Sequence, residues 1–269
     1  MVPTVSFGAP STPWAVGIAL LIAVTSWRRK SLRPSGAIAA TVVGALALRA
    51  GYTWGAFLVL WFVWVTTWSR LGRARKALRT AGVVEKGAER DASQVLANGG
   101  VFALAATIVC TTGELNGSAA LWGTSALAAA GADTVATEIG TWVGAAPRSV
   151  RTWRIVPPGT SGAVSAAGSV AMGGSALVLA TLAVAIGVVP AGQWWVVAVA
   201  AVGGAVMDTV VGAMVQARRW CPVCEAATEQ RRHSCGATTE PRGGWPWLGN
   251  DAVNLVCTAS AAAFAWLLA

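Results

Sequence analysis

The chain is poor in charge and nearly empty of the side chains that do acid–base work. Of its 269 residues only 12% are charged, eleven are acidic, and His233 is the one histidine. That inventory offers no hydrolase triad. No Gly-Lys dipeptide occurs anywhere, which excludes a P-loop. What is abundant is apolar: 55% hydrophobic residues and a mean hydropathy of +0.59 lie well outside the soluble globular range. The composition predicts an all-α fold, a polytopic transmembrane helical bundle.

Eight apolar runs are candidate spans: Trp14 to Trp27, Gly36 to Ala50, Trp54 to Trp68, Asn98 to Thr112, Ala119 to Trp142, Gly168 to Val189, Trp194 to Val215 and Val253 to Ala269. Several fall short of the roughly 20 residues that cross a bilayer upright, so six or seven crossings is the alternative count. The basic residues favour eight. Nineteen of the twenty lie in alternate loops, with Arg49 alone on the other side. The positive-inside rule then predicts those loops in the cytoplasm and both termini outside. Tryptophans 14, 27, 54, 68, 142, 194 and 195 sit at span ends, as an interfacial belt requires. The net charge of +9 is therefore assigned to topology and anionic headgroups, with the lipid bilayer as partner and no nucleic acid. The first run has basic residues only after it, the reverse of a cleavable signal peptide, and is expected to remain in the mature protein. One integral membrane domain over 1–269 is expected, with a cytoplasmic loop over 216–249.

The stretch Gly131 to Gly140 carries two carboxylates inside an apolar run. Each costs roughly 2.5 to 3.5 kcal/mol to insert, so such groups face a polar interior and serve a function. At about 100° per residue, Asp133, Thr134, Thr137 and Glu138 share one arc and Val135, Ala136 and Ile139 the opposite one. Other polar residues fall at the same depth. Gln94 and Asn98 lie one helical turn apart before Gly99-Gly100, downstream of Glu85, Lys86, Glu89, Arg90 and Asp91, which a solvated loop would also explain. Gly159-Thr160-Ser161-Gly162 can form an anion-binding nest before a helix, or an ordinary turn. Gly204, Asp208 and Gly212 recur every four residues, giving a smooth face for a helix or ligand; a structural Asp paired with an Arg is the alternative. Asn250 and Asp251 open the last span, where either can cap the helix, and Asn254 lies one turn further on.

All of these residues fall in the predicted cytoplasmic halves and loops, so they can converge on one cavity. Carboxylates, amides, a glycine turn and arginines suit Mg²⁺ and phosphate. Separately, Cys221-Pro-Val-Cys224 and His233-Ser-Cys235 place four soft or borderline ligands on one loop, the pattern of a small zinc knuckle holding structural Zn²⁺, with unpaired cytosolic thiols as the alternative. Cys110 and Cys257 read as small apolar residues within spans.

Taken in order, Glu85-Lys-Gly, Arg90-Asp, Gln94-Val-Leu-Ala-Asn-Gly-Gly100, Ala132-Asp-Thr, Thr137-Glu-Ile-Gly, Gly159-Thr-Ser-Gly, Asp208-Thr, Asn250-Asp and Asn254 resemble the membrane family known as domain of unknown function 92. That family includes transmembrane protein 19 and a phytyl-phosphate kinase, and the likeness runs from about Ser26 to Leu268. The resemblance implies a kinase that makes an isoprenoid diphosphate from the monophosphate with ATP or CTP. On that reading Asp133, Glu138 and Asp208 hold Mg²⁺ or position the acceptor, and Asn98, Asn250 and Asn254 orient oxygens. Gly159, Thr160, Ser161 and Gly162 hold nucleotide phosphates with Arg90, and Glu85, Asp91, Gln94 and Asp251 border the same site. Where the family has a second Gly after its Gly-Thr-Asn/Ser-Gly, this chain has Ala163. A CTP-dependent cytidylyl or phospholipid transferase and an ion-coupled transporter are the competing expectations.

Overall fold

The computed structural model describes residues 8–85, 87, 89–114, 117–144 and 146–269. Lys86, in the Glu85-Lys-Gly motif, and Asn116, in the loop before the fifth apolar run, lie outside the described residues. Each of the eight apolar runs is a helix: α1 Thr12–Arg28, α2 Pro34–Ala50, α3 Tyr52–Arg70, α5 Ala92–Thr112, α6 Ser118–Val143, α7 Ala166–Ala185, α8 Trp194–Met214 and α9 Asn250–Leu268. The short α4, Arg73–Thr80, lies between α3 and α5, and a 3-10 turn, Ala191–Gln193, leads into α8. Helices α5, α7, α8 with its leading turn, and α9 are long and apolar enough to cross a membrane. Helices α1 and α2 have 17 residues each, about 26 Å at 1.5 Å per residue.

The ends of these helices follow from local chemistry. Proline opens both α1 and α2, where its missing N–H costs no helical hydrogen bond. Asp91 caps α5 in a capping box: its carboxylate accepts from Gln94 N at 3.0 Å, and Gln94 Oε1 accepts from Asp91 N at 3.1 Å. This satisfies orphan amides and lets the polar first turn join the helix, so α5 starts at Ala92, ahead of the apolar run. Ser165 caps α7 through Gly168 N.

Helix α6 is the centre of the bundle and packs against α3, α5, α7, α8 and α9. Its first half is small and buried from Ala126 through Ala132. Close approach depends on glycine and alanine: a Cβ at Gly204 would come within 2.6 Å of Cys257 O and 2.9 Å of Ala129 Cβ. The smooth face of α8 therefore serves α9 and α6 at that level. Aromatics fill the wider gaps, with Trp54 and Phe102 ring centroids 5.0 Å apart and both buried.

All four basic loops meet at one end. The 29–33 turn pairs with Arg90, the residue before the α5 cap, with Arg33 N donating to Arg90 O at 2.9 Å and Arg90 N to Ser31 O at 3.1 Å. A two-stranded antiparallel hairpin, β1 Arg148–Ser149 with β2 Ala163–Val164, fills the α6–α7 connection. The α8–α9 connection is a three-stranded antiparallel sheet in the order β4-β3-β5: β3 Arg218–Cys221, β4 Ala226–Thr228 and β5 Glu240–Gly243. Arg49 lies at the opposite end, donating to Pro10 O at 2.7 Å.

Candidate functional site

The basic end holds a cavity of ≈ 970 Å³, within the size range of small-molecule sites. Asp133, Thr137 and Glu138 from α6, Gln94 and Asn98 from α5, Asp208 from α8, and Asn250, Asp251 and Asn254 from α9 line it. Glu85, Arg90 and the turn Gly159 to Gly162 complete the wall from the loops. Of the residues expected at the site, Asp91 alone is not in the lining: its carboxylate caps α5 and accepts from Ser93 Oγ at 2.8 Å. Ser93 Oγ also donates to Asp251 Oδ2 at 2.6 Å, which ties the start of α5 to the start of α9. The α9 cap position is Gly249, so neither Asn250 nor Asp251 serves as the cap.

The two carboxylates of the α6 motif have different surroundings. Glu138 is ion-paired with Lys76 of α4, a lysine that is 6% exposed and also donates to Trp68 O at 2.7 Å and Ser69 O at 3.0 Å. The next turn of α4 supplies Arg79, which donates to Thr141 O at 3.0 Å and closes the carbonyl end of α6. Glu138 is thereby charge-matched by the chain itself and anchors α6 to α4. Asp133 lies one turn deeper. On α8, Asp208 Oδ2 is buried with no hydrogen-bond partner among the described residues. A buried carboxylate oxygen left without a partner is costly and marks a place for a ligand. Among the described residues the one group of three or more His, Cys, Asp or Glu close enough for a single ion is Cys221, Cys224, His233 and Cys235. Asp133, Glu138 and Asp208 therefore do not form a ready-made three-carboxylate site.

Arg90 is held over the Trp61 ring at 5.9 Å. Burial pushes its guanidinium below the ordinary arginine value, and the Glu138 carboxylate opposes that shift.

In the glycine turn Thr160 N and Ala163 N bond within the turn, to Pro157 O and Thr160 O, and Ser161 meets a carboxylate from this chain. Gly159 and Gly162 have φ of +87° and +70°, a region that favours glycine. A Cβ at Gly162 would also strike the Ala213 backbone. Into this turn comes Glu229, a residue that sequence reasoning missed. Its Oε1 accepts from Ser161 Oγ at 2.5 Å and from Ser161 N at 3.2 Å. Burial pushes the Glu229 carboxyl above the usual range, and its bonds from Ser161 pull it back. Lys76 was missed as well. No local signal marks either residue, because their partners lie 62 and 68 positions away.

Part of the cavity lining is apolar: Met172 of α7 and Val206 and Val210 of α8 contribute to it, and both valines are 42% exposed.

A bundle of apolar helices around a polar chamber at one end defines an integral membrane protein of the helical class. The family model described as integral membrane protein DUF92 matches residues 17–262, and the chain belongs to that family. Protein PGR of Arabidopsis thaliana is 29% identical over 266 residues, covering 90% of this chain and 91% of that one. An uncharacterized membrane protein of Synechocystis is 28% identical over 261 residues, covering 94% and 90%. No solved structure matches the chain.

Proposed function

We propose that the protein is a membrane isoprenoid-phosphate kinase, transferring the terminal phosphoryl group of ATP or CTP to a prenyl monophosphate at a cytoplasm-facing site. The observation that carries this reading is the composite cavity: carboxylates, arginines and a glycine turn at one end of the bundle, with Met172, Val206 and Val210 in the same lining. The polar groups suit a phosphate head and the apolar ones the start of an isoprenoid tail. The family resemblance supplies the reaction. Orientation follows from the basic loops, which favour the cytoplasm and leave both termini outside. The helix count and the loop charges together support eight crossings.

Mg²⁺ fits the partnerless Asp208 oxygen and Asp133 across the same cavity. Mg²⁺ takes one or two protein carboxylates and completes its shell with water and substrate phosphates. When bound, it would offset the charge that gathers on the phosphoryl oxygens. Glu138, already matched by Lys76, holds α6 in register and is not a metal ligand on this account. Arg90 neutralises phosphate, and the Gly159 to Gly162 turn, whose Ser161 donors are held by Glu229, forms the wall beside the nucleotide phosphates. Asn98, Asn250 and Asn254 donate to phosphate oxygens and Gln94 shapes the adjoining wall. The acceptor is an anion already, so its phosphate oxygen can attack the terminal phosphorus directly and release the nucleoside diphosphate. A strong general base is unnecessary, in keeping with a cavity that has no histidine in its lining.

A transporter would need a polar path onward to the other end. Here the α6 residues beyond Asp133, from Ala126 to Ala132, are all buried. The test uses purified protein in detergent with Mg²⁺, prenyl monophosphates from geranyl to phytyl, and labelled ATP or CTP. Prenyl diphosphate with release of nucleoside diphosphate is expected. Pyrophosphate release with a nucleotidylated lipid would replace this reading with the transferase, and folded protein inert towards every pair would remove it.

A further inference from the structure

The 215–249 connection has almost nothing apolar to hold it together. Three strands of three or four residues make up its sheet, and its buried hydrophobic residues are Cys221 and Leu248 alone among the described residues. A unit of about 35 residues with so little core needs a staple. The four candidate ligands provide one. Their ligand atoms all lie within 4.8 Å of one another. Cys221 Sγ is 3.6 Å from Cys235 Sγ, and His233 Nδ1 is 3.2 Å from Cys235 Sγ. A tetrahedron with Zn–S bonds of about 2.3 Å has S···S edges of about 3.8 Å, so these spacings need only slight adjustment. Cys224 N donates to Cys221 Sγ at 3.4 Å, the backbone arrangement of a knuckle turn. Cys221 is fully buried and His233 is 9% exposed, which leaves the donor set partly shielded from water. Three sulfurs and an imidazole select a borderline metal over Mg²⁺ or Ca²⁺.

The segment between the second and third ligands is the one that enters the cavity. Glu229 N donates to Val83 O at 2.8 Å and Gln230 Nε2 to Val84 O at 2.9 Å. Between these two anchors the Glu229 carboxylate reaches Ser161. We propose that Cys221, Cys224, His233 and Cys235 bind one Zn²⁺ and that this ion clamps Glu229 onto the Ser161 turn, so that a metal site outside the bundle shapes the phosphate wall of the cavity. The ion is structural, with all four positions filled by protein, and takes no part in chemistry.

The test requires no turnover and stands independently of the kinase reading. Full-length protein in detergent is assayed for bound metal, then loaded with Co²⁺, and hydrogen exchange is followed with and without chelation. About one zinc per chain is expected, with Co²⁺ giving thiolate charge-transfer and tetrahedral absorption bands. Removing the metal should speed exchange over 157–165 and 80–85 on the order of tenfold, while α2 is unaffected. Cys224→His should keep a metal and slow exchange, and Glu229→Gln should keep the metal yet loosen 157–165 alone. Folded protein that binds neither Zn²⁺ nor Co²⁺ and leaves the three thiols and the histidine of the loop freely titrating overturns the site. Metal whose removal leaves 157–165 unchanged overturns the clamp.

Discussion

The two ends of this bundle are built on different principles. At the end carrying Arg49 the helices meet through small apolar side chains, and one hydrogen bond, from Arg49 to Pro10 O, closes the α1 entrance. At the basic end the same helices diverge around a chamber, and the loops cross-brace one another through Lys76–Glu138, Arg79–Thr141, Ser161–Glu229 and Ser93–Asp251. Helix α6 passes through both regimes, with Ala126 to Ala132 closely packed and Asp133 to Thr141 polar. The difference teaches that the packed end supplies rigidity and the braced end keeps charged groups apart from lipid and available to a ligand.

That comparison is broken most severely at Asp133. Asp133→Asn should lower prenyl diphosphate formation on the order of 10²- to 10³-fold at unchanged melting temperature. The matching change in the packed half, Ser125→Ala, loses only a hydroxyl bonded to Leu121 O and should leave turnover within about twofold. A similar dependence of rate on both residues would erase the distinction. Next in size is the buried brace. Lys76→Met removes the ion-pair partner of Glu138 and should cost roughly 3 kcal/mol in unfolding measurements, with the Arg90 charge offsetting part of the loss and most of it recovered in the double variant with Glu138→Gln. Failure of the double variant to recover would make Glu138 more than an anchor. Gly162→Ala forces an alanine to a φ of +70° against Ala213 and should cost about 1 to 2 kcal/mol from the dihedral alone, together with a raised KM for nucleotide. The smallest effect sharpens the boundary of the site: Asp91→Ala should lose about 1 kcal/mol of helix capping while turnover by the remaining folded protein persists.

The helices were legible because apolar runs bounded by basic loops leave few other solutions, and the polar residues at one depth pointed to a shared chamber. Their ends were less legible. The apolar run begins at Asn98 but α5 begins at Ala92, where Asp91-Ala-Ser-Gln94 forms a capping box that hydropathy does not mark. Helix α7 stops at Ala185 because Gly187, at φ +78°, turns the chain before the apolar run is over. Lys76 and Glu229 could not be read at all: a basic residue in an arginine-rich segment and an acid in a polar loop look like surface until tertiary packing buries them. Glu138 likewise carries no local sign of its cation, because Lys76 lies on another helix.

The most direct measurement is single-turnover formation of prenyl diphosphate by the wild type and by Asp208→Asn, each shown to be folded by its melting transition in detergent with Mg²⁺. The account predicts a burst of product from the wild type and its loss, on the order of 10²-fold or more, when the partnerless carboxylate becomes an amide. Equal product from both proteins would contradict the placement of phosphoryl transfer in this cavity.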